Sequence, residues 1–592
     1  MYKYGLIGNC QVSALVGETG SIDWLCLPRP DSEPVFGRLL DPEGGHFTIS
    51  FAGENSVASQ QRYVDNTNVL VTELENLDGA RFRITDFCPR FYQFGRIYRP
   101  MSIFRIVEPL AGSPTISVSC KPISGWQRQP VRYVRGNSHL RWDLRGDSLR
   151  LTTNMPMTYL CEGTPVRLNE RLYFGLTWST AIEEEIAQLS QRVAGQTVDY
   201  WRNWVKHCSI PSLFQREVIR SALTLKLHCY EDTGAILAAL TTSLPEEIGG
   251  ERNWDYRYCW LRDAYFVLSA FHNLGHYEEM EAFLKFLLSI AHHRDDERTR
   301  LSPVYTLSTG LPLPETIHDN WRGFESTAPV RSHNQAAEHV QNDVYGEMVL
   351  TLAPIFLDER FRHLRGPEHE ALLIHLGHLC AKTISQPDAG LWEVRDGWQE
   401  HTFSNLMSWA GLERIERIHR LGYLRGMQLN VSAEKVRAEQ AVRRAVKDSV
   451  LRNGPVDDSL DSALALLPIL RFPFPEVPYN TIREIQKVLA VESGADASFY
   501  YRYIRRDDFG RPHSAFVICS FWIAQGLAHL GRKDESVQML NRVLEAANPL
   551  GLYSEHYLPQ KRQQLGNFPQ AYSHVGLINA AFAASPPWSE VL

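Results

Sequence analysis

The sequence lacks a long hydrophobic run, a basic patch and closely spaced cysteines. No segment of the 592 residues approaches the roughly 18 consecutive apolar residues that a membrane helix needs, and the beginning of the chain lacks the basic and apolar pattern of a secretion signal. A net charge of −7 without a basic cluster argues against a nucleic-acid or acidic-lipid partner. We therefore expect a cytoplasmic protein that binds neither nucleic acid nor membrane.

The ten cysteines are scattered, and no two of them form a C-x-x-C pair. A disulfide framework or a zinc ribbon is therefore not expected. His363, His369, His375 and His378 lie close together in sequence, but no carboxylate or cysteine completes a known ligand spacing around them. We expect no metal and no cofactor.

The first 180 residues have the pattern of short strands separated by turns. Arg81–Thr85 alternates polar and apolar side chains, and Asp78-Gly79 stands before it where a tight hairpin turn would reverse the chain. Several such strands in succession predict an antiparallel β-sandwich over residues 1–180. A linker helix is predicted over residues 181–209.

From residue 210 to 592 the hydrophobic period becomes helical. Met280, Phe283 and Leu287, for example, fall on one face of a helix. Twelve candidate helices lie near residues 214–231, 262–275, 277–293, 337–357, 368–386, 404–424, 432–451, 459–469, 479–492, 513–531, 533–548 and 570–585. Because no sequence repeat aligns at a fixed period, we predict six helical hairpins closed into a ring rather than an open solenoid.

Two glutamates stand among aromatic and arginine neighbours in the helical part. Glu393 lies in Gly390–Arg395 (GLWEVR), and Glu555 follows Tyr553 and Ser554. Cleavage of a glycosidic bond needs one carboxyl group that protonates the leaving oxygen and a second, ionised one that activates water, while aromatic faces hold the sugar. The pattern therefore predicts a glycoside-cleaving enzyme.

Two further motifs are Arg252–Ala264 (RNWDYRYCWLRDA) and Gln564–Ala571 (QLGNFPQA). Together with Gly390–Arg395 they resemble glycoside hydrolase family 15, which contains glucoamylases, glucodextranases and prokaryotic trehalases. Gly20–Arg29 (GSIDWLCLPR) is similar to the opening of the trehalase-like N-terminal domain found in the family's prokaryotic branch. The resemblance covers essentially the whole chain, and it implies an N-terminal β-sandwich followed by an (α/α)6 barrel.

The resemblance also implies roles for the matching residues. Glu393 matches the general acid of the family and Glu555 its general base, in a single displacement by water that inverts the anomeric carbon. The residues that match the motif holding the terminal glucose are Trp260, Arg262 and Asp263. Further candidates for substrate contact are Tyr258, Trp392 and Asn334. Such contacts imply exo action, in a pocket with Arg262 and Asp263 at its floor.

The chain departs from the family pattern in two places. Fungal glucoamylases carry a second acidic residue directly after the acid, whereas this chain has Val394. His333 and His339 stand where many members have Gly and Gln, which leaves Asn334 and Gln341 as weaker site candidates. The roles of those family residues are therefore not carried over to this chain.

The predicted function is that of an inverting exo-α-glucosidase that releases β-glucose from the non-reducing ends of small oligosaccharides or glucans. We predict a glucoamylase, with an α,α-trehalase as the alternative and isomalto-type linkages as a third possibility. A non-catalytic glucan-binding protein and a phosphorolytic transferase or lyase on the same toroid are disfavoured, because both glutamates are present. An oligomer is compatible with the sequence.

Overall fold

The structure is a computed structural model that describes residues 1–53, 58–292, 300–311, 313–395, 397–492, 494 and 497–592. An N-terminal part built from two β-sheets precedes a C-terminal part built from helices. Among the described residues, no helix combines the length and the apolar character needed to cross a bilayer.

Two antiparallel sheets form the N-terminal part. The first, in spatial order, contains Tyr4–Gly8, Ser13–Gly17, Ser21–Cys26, His46–Phe51, Thr115–Lys121 and Val166–Arg167, with Pro34–Phe36 paired to Ser21–Cys26. The second contains Tyr133–Arg135, His139–Leu144, Asp147–Thr153, Leu172–Trp178, Ser102–Ala111, Arg81–Phe87, Leu70–Glu75 and Ala58–Tyr63. The predicted turn before Arg81 is present, and Gly79 there has a φ of 74°, which glycine adopts readily.

The sheets pack face to face, as the predicted β-sandwich requires. The ring of Phe51 lies 4.8 Å from that of Phe82 on the opposite sheet. Arg105 reaches across the interface and donates to the Phe47 carbonyl oxygen at 2.7 Å, while its guanidinium pairs with Asp86 at 2.7 Å. Both charged side chains are fully buried, and each has partners, which is the condition for burying a charge in a core. The β-sandwich prediction is confirmed.

A long helix, Ile186–Lys206, connects the two parts. It begins at Glu185, whose carboxylate accepts hydrogen bonds from the backbone N–H groups of Ala187 and Gln188. Its last turn places Trp204 parallel to His276 of the helical part, with ring centroids 4.0 Å apart. The helix lies within the predicted linker, and the domain boundaries at 180 and 209 stay predictions.

Twelve helical segments of the described chain form two concentric rings. The inner ring consists of Leu261–Leu274, Asp343–Leu357, Thr402–Arg420, Ser462–Leu466 continued by Leu467–Leu470, Val517–His529 and Ala571–Ala584, which are largely buried. The outer ring consists of Gln215–His228, Tyr277–His292, Pro367–Thr383, Val431–Arg444, Val477–Val488 and Lys533–Val543. Each of the twelve predicted helices corresponds to one of these segments, so the helical period of the apolar residues was enough to locate them. The arrangement is the predicted (α/α)6 barrel.

The two parts meet at the loop that carries Arg252–Ala264. Arg257 pairs with Asp255 through Nε and Nη2, at 2.9 and 2.7 Å, and its Nη1 donates to the carbonyl oxygen of Ser32 at 2.6 Å. Trp24 and Trp126, both from the N-terminal part, lie 5.8 and 5.5 Å from this guanidinium. The β-sandwich therefore holds the backbone of the motif through one buried arginine.

We expect Arg257→Ala to destabilise the protein by about 3–5 kcal/mol, because it leaves the fully buried carboxylate of Asp255 without its cation. The midpoint of urea unfolding measures the effect. Arg192→Ala is the matched control: Arg192 pairs with Glu184 and both side chains are 45% exposed, so its loss should cost about 0–1 kcal/mol. Equal midpoints for the two variants would contradict the role given to Arg257.

Candidate active site

An open cavity lies at the N-terminal ends of inner helices, and its empty space of about 800 Å³ includes open solvent at its mouth. Arg262 and Asp263 line it from the first turn of Leu261–Leu274, and Tyr572 lines it from the start of Ala571–Ala584. These residues are buried, whereas lining residues such as Arg395 and Asp508 are partly or fully exposed. The cavity therefore has a buried floor and an exposed rim.

Glu393 lies in the wall of this cavity, and two donors hold its carboxylate. Trp260 Nε1 donates to Glu393 Oε1 at 2.7 Å, and Arg262 Nη1 donates to the same oxygen at 3.1 Å. The backbone of Glu393 has a φ of 61°, a conformation that is uncommon outside glycine. Because both donors bond to Oε1, Oε2 is the oxygen that remains available to a ligand.

Glu555 lies beside Tyr256, a lining residue of the cavity, and is itself almost fully buried. The backbone N–H of Asn567 donates to its Oε2 at 3.2 Å, while Oε1 has no hydrogen-bond partner within the described chain. Burial, followed by the negative charge of Glu246, raises the pKa of Glu555 to about 8. Burial and then the charges of Glu555 and Glu393 raise the pKa of Tyr256, so this tyrosine lies within electrostatic reach of both carboxylates.

Glu246, His556 and Glu555 form a buried group of titratable side chains. His556 Nε2 lies 3.8 Å from Glu555 Oε1 and 3.6 Å from Glu246 Oε2. Burial lowers the pKa of His556 to about 4, and its Nδ1 lies 3.0 Å from Ser514 Oγ. Within the described residues this group has a spacing that would suit a metal ion, but Arg502 already pairs with Glu246 at 3.1 Å and supplies positive charge there.

The other residues predicted to contact substrate do not all line the cavity. The cavity lining includes Trp260, Arg262, Asp263, Trp392 and Asn334. Trp392 presents its ring only, because its indole N–H donates to both carboxylate oxygens of Asp461 at 3.0 and 2.8 Å. Tyr258 is almost fully buried and belongs to a small core cluster next to the cavity rather than to its lining. Gln341 supports the site from outside, since its side chain donates to the Gly390 carbonyl oxygen at 2.7 Å.

The lining residues that were not singled out from the sequence include Tyr256, Glu246, Arg502 and Tyr572. Tyr256 lies inside the Arg252–Ala264 motif, which was the signal that could have identified it. Glu246 and Arg502 lie 256 positions apart in sequence and meet only as a buried ion pair. No local pattern in the sequence marks such a pair.

Comparison with known proteins gives the family of this chain. The family model of glycosyl hydrolases family 15 matches residues 214–582, and the model described as "Trehalase-like, N-terminal" matches residues 1–163. The chain belongs to glycosyl hydrolases family 15. It is therefore a glycoside hydrolase, as predicted.

Similar proteins span both parts of this family 15 enzyme. The chain is 32% identical to a trehalase of Mycolicibacterium smegmatis over 98% of its own length and 90% of the relative, and 31% identical to a trehalase of Thermoplasma volcanium over 98% and 92%. A crystal structure of a bacterial glucoamylase complexed with acarbose superposes with a TM-score of 0.69 at 14% identity, covering 98% of this chain and 94% of that one. At this identity the structural likeness shows the fold alone.

At and behind the cavity floor, the family 15 barrel contains four buried carboxyl groups, of which Asp263, Asp343 and Glu347 lie within electrostatic reach of Arg262 and Asp388 within reach of Asp343. Burial raises the pKa of Asp263 and of Asp343 to about 6 and that of Asp388 to about 7. Burial also raises the pKa of Glu347 well above its usual value, and neither of its carboxylate oxygens has a hydrogen-bond partner within the described chain. Ionising this group at neutral pH therefore costs folding free energy.

We expect stability to fall between pH 5 and pH 8, and Glu347→Gln to reduce that fall. The pKa values of these carboxyl groups are raised in the folded state. Their contribution to the free energy of unfolding is therefore fully present below about pH 4, and it is lost as pH rises through about 6 to 7. Each ionisation costs on the order of 2 kcal/mol. Urea midpoints at both pH values measure the change.

Glu359→Gln is the control for this experiment, because Glu359 is 76% exposed and lies outside the buried group. It should leave the difference between pH 5 and pH 8 as it is in the unsubstituted protein. If Glu347→Gln behaves in the same way, the buried carboxyl groups do not determine the pH dependence.

Proposed function

We propose that this protein is an α,α-trehalase that inverts the anomeric carbon, with Glu393 as general acid and Glu555 as general base. The observation that carries the proposal is the match over almost the full length of both parts to relatives named trehalase. The sequence favoured a glucoamylase, and the relatives support the alternative better. The glucoamylase likeness concerns the fold and gives no preference for longer glucans.

The surroundings of Glu393 suit a proton donor that must be held in one orientation. Trp260 and Arg262 hold Oε1 by hydrogen bonds, so Oε2 is the atom that donates a proton to the oxygen joining the two sugars. Arg262 also donates to the Leu391 carbonyl oxygen at 2.6 Å and to the Tyr572 hydroxyl at 3.0 Å. With so many of its donors engaged, Arg262 acts first as a positioning residue for Glu393, and only second as a contact to sugar hydroxyls.

We assign Glu555 the role of base in its ionised form; because burial raises its pKa to about 8, the ionised fraction grows as the pH rises toward 8. Its Oε1 accepts no hydrogen bond from the described residues, and His556 Nε2 lies 3.8 Å from it, so a water molecule can donate to Oε1 while the Asn567 N–H donates to Oε2. In the reaction, the water oxygen bonds to the anomeric carbon as the water proton passes to Glu555, and Glu393 gives its proton to the departing sugar. Each turnover exchanges one proton at each carboxyl group, and both are restored through solvent.

We expect trehalose to be hydrolysed with a kcat/KM at least about tenfold above those of maltose, maltotriose, isomaltose and soluble starch, a ratio within reach of contacts in one pocket. Glucose release is the assay, with Glu393→Gln as the inactive control. A preference for maltotriose or starch would restore the glucoamylase interpretation. NMR of fresh product reports the stereochemistry: inversion of trehalose gives one α-glucose and one β-glucose, whereas retention gives α-glucose alone.

The two glutamates should respond differently to the leaving group. Glu393→Gln removes the proton donor, so turnover of trehalose should fall by about 10²–10⁴-fold, while α-glucosyl fluoride, whose leaving group needs little protonation, should be far less affected. Glu555→Gln should impair both substrates. Azide added to Glu555→Ala should restore turnover of the fluoride and give the β-azide. Equal losses on both substrates in Glu393→Gln would contradict its role as the acid.

A further inference from the structure

Three charged side chains form a bridge that begins at the rim of the cavity, where Arg395 lines it, and continues behind the wall through Glu315 to the buried Arg331; we call Arg331, Glu315 and Arg395 the rim bridge. Glu315 Oε1 lies 3.1 Å from Arg331 Nε, and Glu315 Oε2 lies 3.0 Å from Arg395 Nη2. Each oxygen of one carboxylate therefore holds one arginine. Arg395 Nη1 also donates to Gln335 Oε1 at 3.1 Å, so the bridge continues to a second segment of the chain.

Aromatic rings and a backbone hydrogen bond anchor the Arg395 end of the rim bridge. The guanidinium carbons of Arg331 and Arg395 lie 4.6 and 4.7 Å from the ring centroid of Trp254, and that of Arg395 lies 5.4 Å from Phe509. The backbone N–H of Arg395 donates to Asp508 Oδ2 at 2.6 Å. These cation–π contacts and hydrogen bonds join loops that are far apart in sequence. Trp254 is consequently occupied by arginines and is not a free stacking surface for a sugar.

The position of the rim bridge relative to Glu393 determines which sugar it meets. Arg395 follows Glu393 by two residues, and it lines the cavity together with Trp254, Asp508 and Phe509. The buried floor at Arg262 takes the first sugar, and Glu393 protonates the oxygen between the first sugar and the second. The second sugar therefore extends from Glu393 toward the rim.

We propose that the rim bridge holds Arg395 across the path of a third sugar, at the open end of the cavity, and so restricts the enzyme to disaccharides. This inference rests on the proposed function, and it adds the residues that exclude longer chains. Both anomeric carbons of trehalose lie in its linkage, so nothing needs to pass the rim, whereas a third sugar of a glucan would have to displace Arg395. Displacing Arg395 is costly, because it separates this partly buried charge from the Glu315 carboxylate and from the aromatic rings against which it packs.

The test compares disaccharide and trisaccharide hydrolysis in the full-length enzyme and in three variants. Arg395→Ala opens the rim, Arg395→Lys keeps a charge without the planar guanidinium, and Glu315→Gln keeps the volume but removes the charge between the arginines. Rates on trehalose, maltose and maltotriose are each divided by the rate on α-glucosyl fluoride, which has no second sugar. Arg360→Ala is the control, since Arg360 pairs with Asp358 at the surface away from the cavity.

The expected result is a rise of about tenfold or more in the maltotriose-to-maltose ratio for Arg395→Ala, within the range that one pocket contact supplies. Arg395→Lys and Glu315→Gln should give smaller rises, and Arg360→Ala none. The two conservative variants keep the test decisive if Arg395→Ala does not fold. An unchanged ratio in all the rim variants, or a full-length enzyme that cleaves maltotriose as well as maltose, overturns the rim bridge.

The same data separate the rim bridge from the proposed substrate. If the unsubstituted enzyme cleaves maltose but not trehalose, and the rim variants still raise the maltotriose ratio, the bridge is supported and the trehalase proposal is overturned. If trehalose is cleaved and the ratio does not move, the trehalase proposal is supported and the bridge is overturned.

Discussion

The buried guanidinium of Arg262 is the charge around which the cavity is organised. It bonds to the Glu393 carboxylate, the Leu391 carbonyl oxygen and the Tyr572 hydroxyl, and it pairs with Asp263 at 3.0 Å. These partners come from three separate segments of the barrel. Because a buried cation is tolerated only when its donors are satisfied, the position of each partner is constrained by the others. The orientation of Glu393 is thus determined by the need of the buried Arg262 guanidinium for hydrogen-bond acceptors.

A second buried arginine connects this arrangement to the N-terminal β-sandwich. Arg257 lies five residues before Arg262, and it is held by Asp255, Ser32 and the ring of Trp24. The motif loop is therefore fixed at one end by the β-sandwich and at the other by the carboxylates of the barrel. This gives a physical reason for the two parts of this chain to be stable together.

The electrostatics of the cavity depend on burial more than on ion pairing. Burial is the main reason why the pKa values of Glu555, Asp263 and Asp388 are all raised, and Glu246 adds to the effect at Glu555. The enzyme thus keeps several carboxyl groups in surroundings that favour their protonated forms. Groups whose pKa values are raised in this way exchange protons closer to neutral pH than exposed carboxyl groups do.

The fold and the main site motifs were predictable from local patterns. Strand alternation gave the β-sandwich, and apolar residues at helical spacing gave twelve helices, because burial of one face imposes those periods wherever an element packs. The motif containing Glu393 identified the family chemistry. Tyr258 shows the limit of this reasoning: it lies in a site motif and in the same core cluster as Trp260, yet of the two only Trp260 also lines the cavity, because tertiary packing decides which side chain of a cluster reaches the open space.

The sequence by itself determined the class of the enzyme and its two-part architecture, and it predicted the pair of glutamates that we propose for its chemistry. Only the tertiary structure decided which charges meet: Glu246 with Arg502, Arg262 with Glu393, and Glu315 with Arg395. These partners lie between 80 and 256 residues apart. The physical reason is that an ion pair depends on the separation of two side chains in space, and no pattern in a local stretch of sequence records that separation.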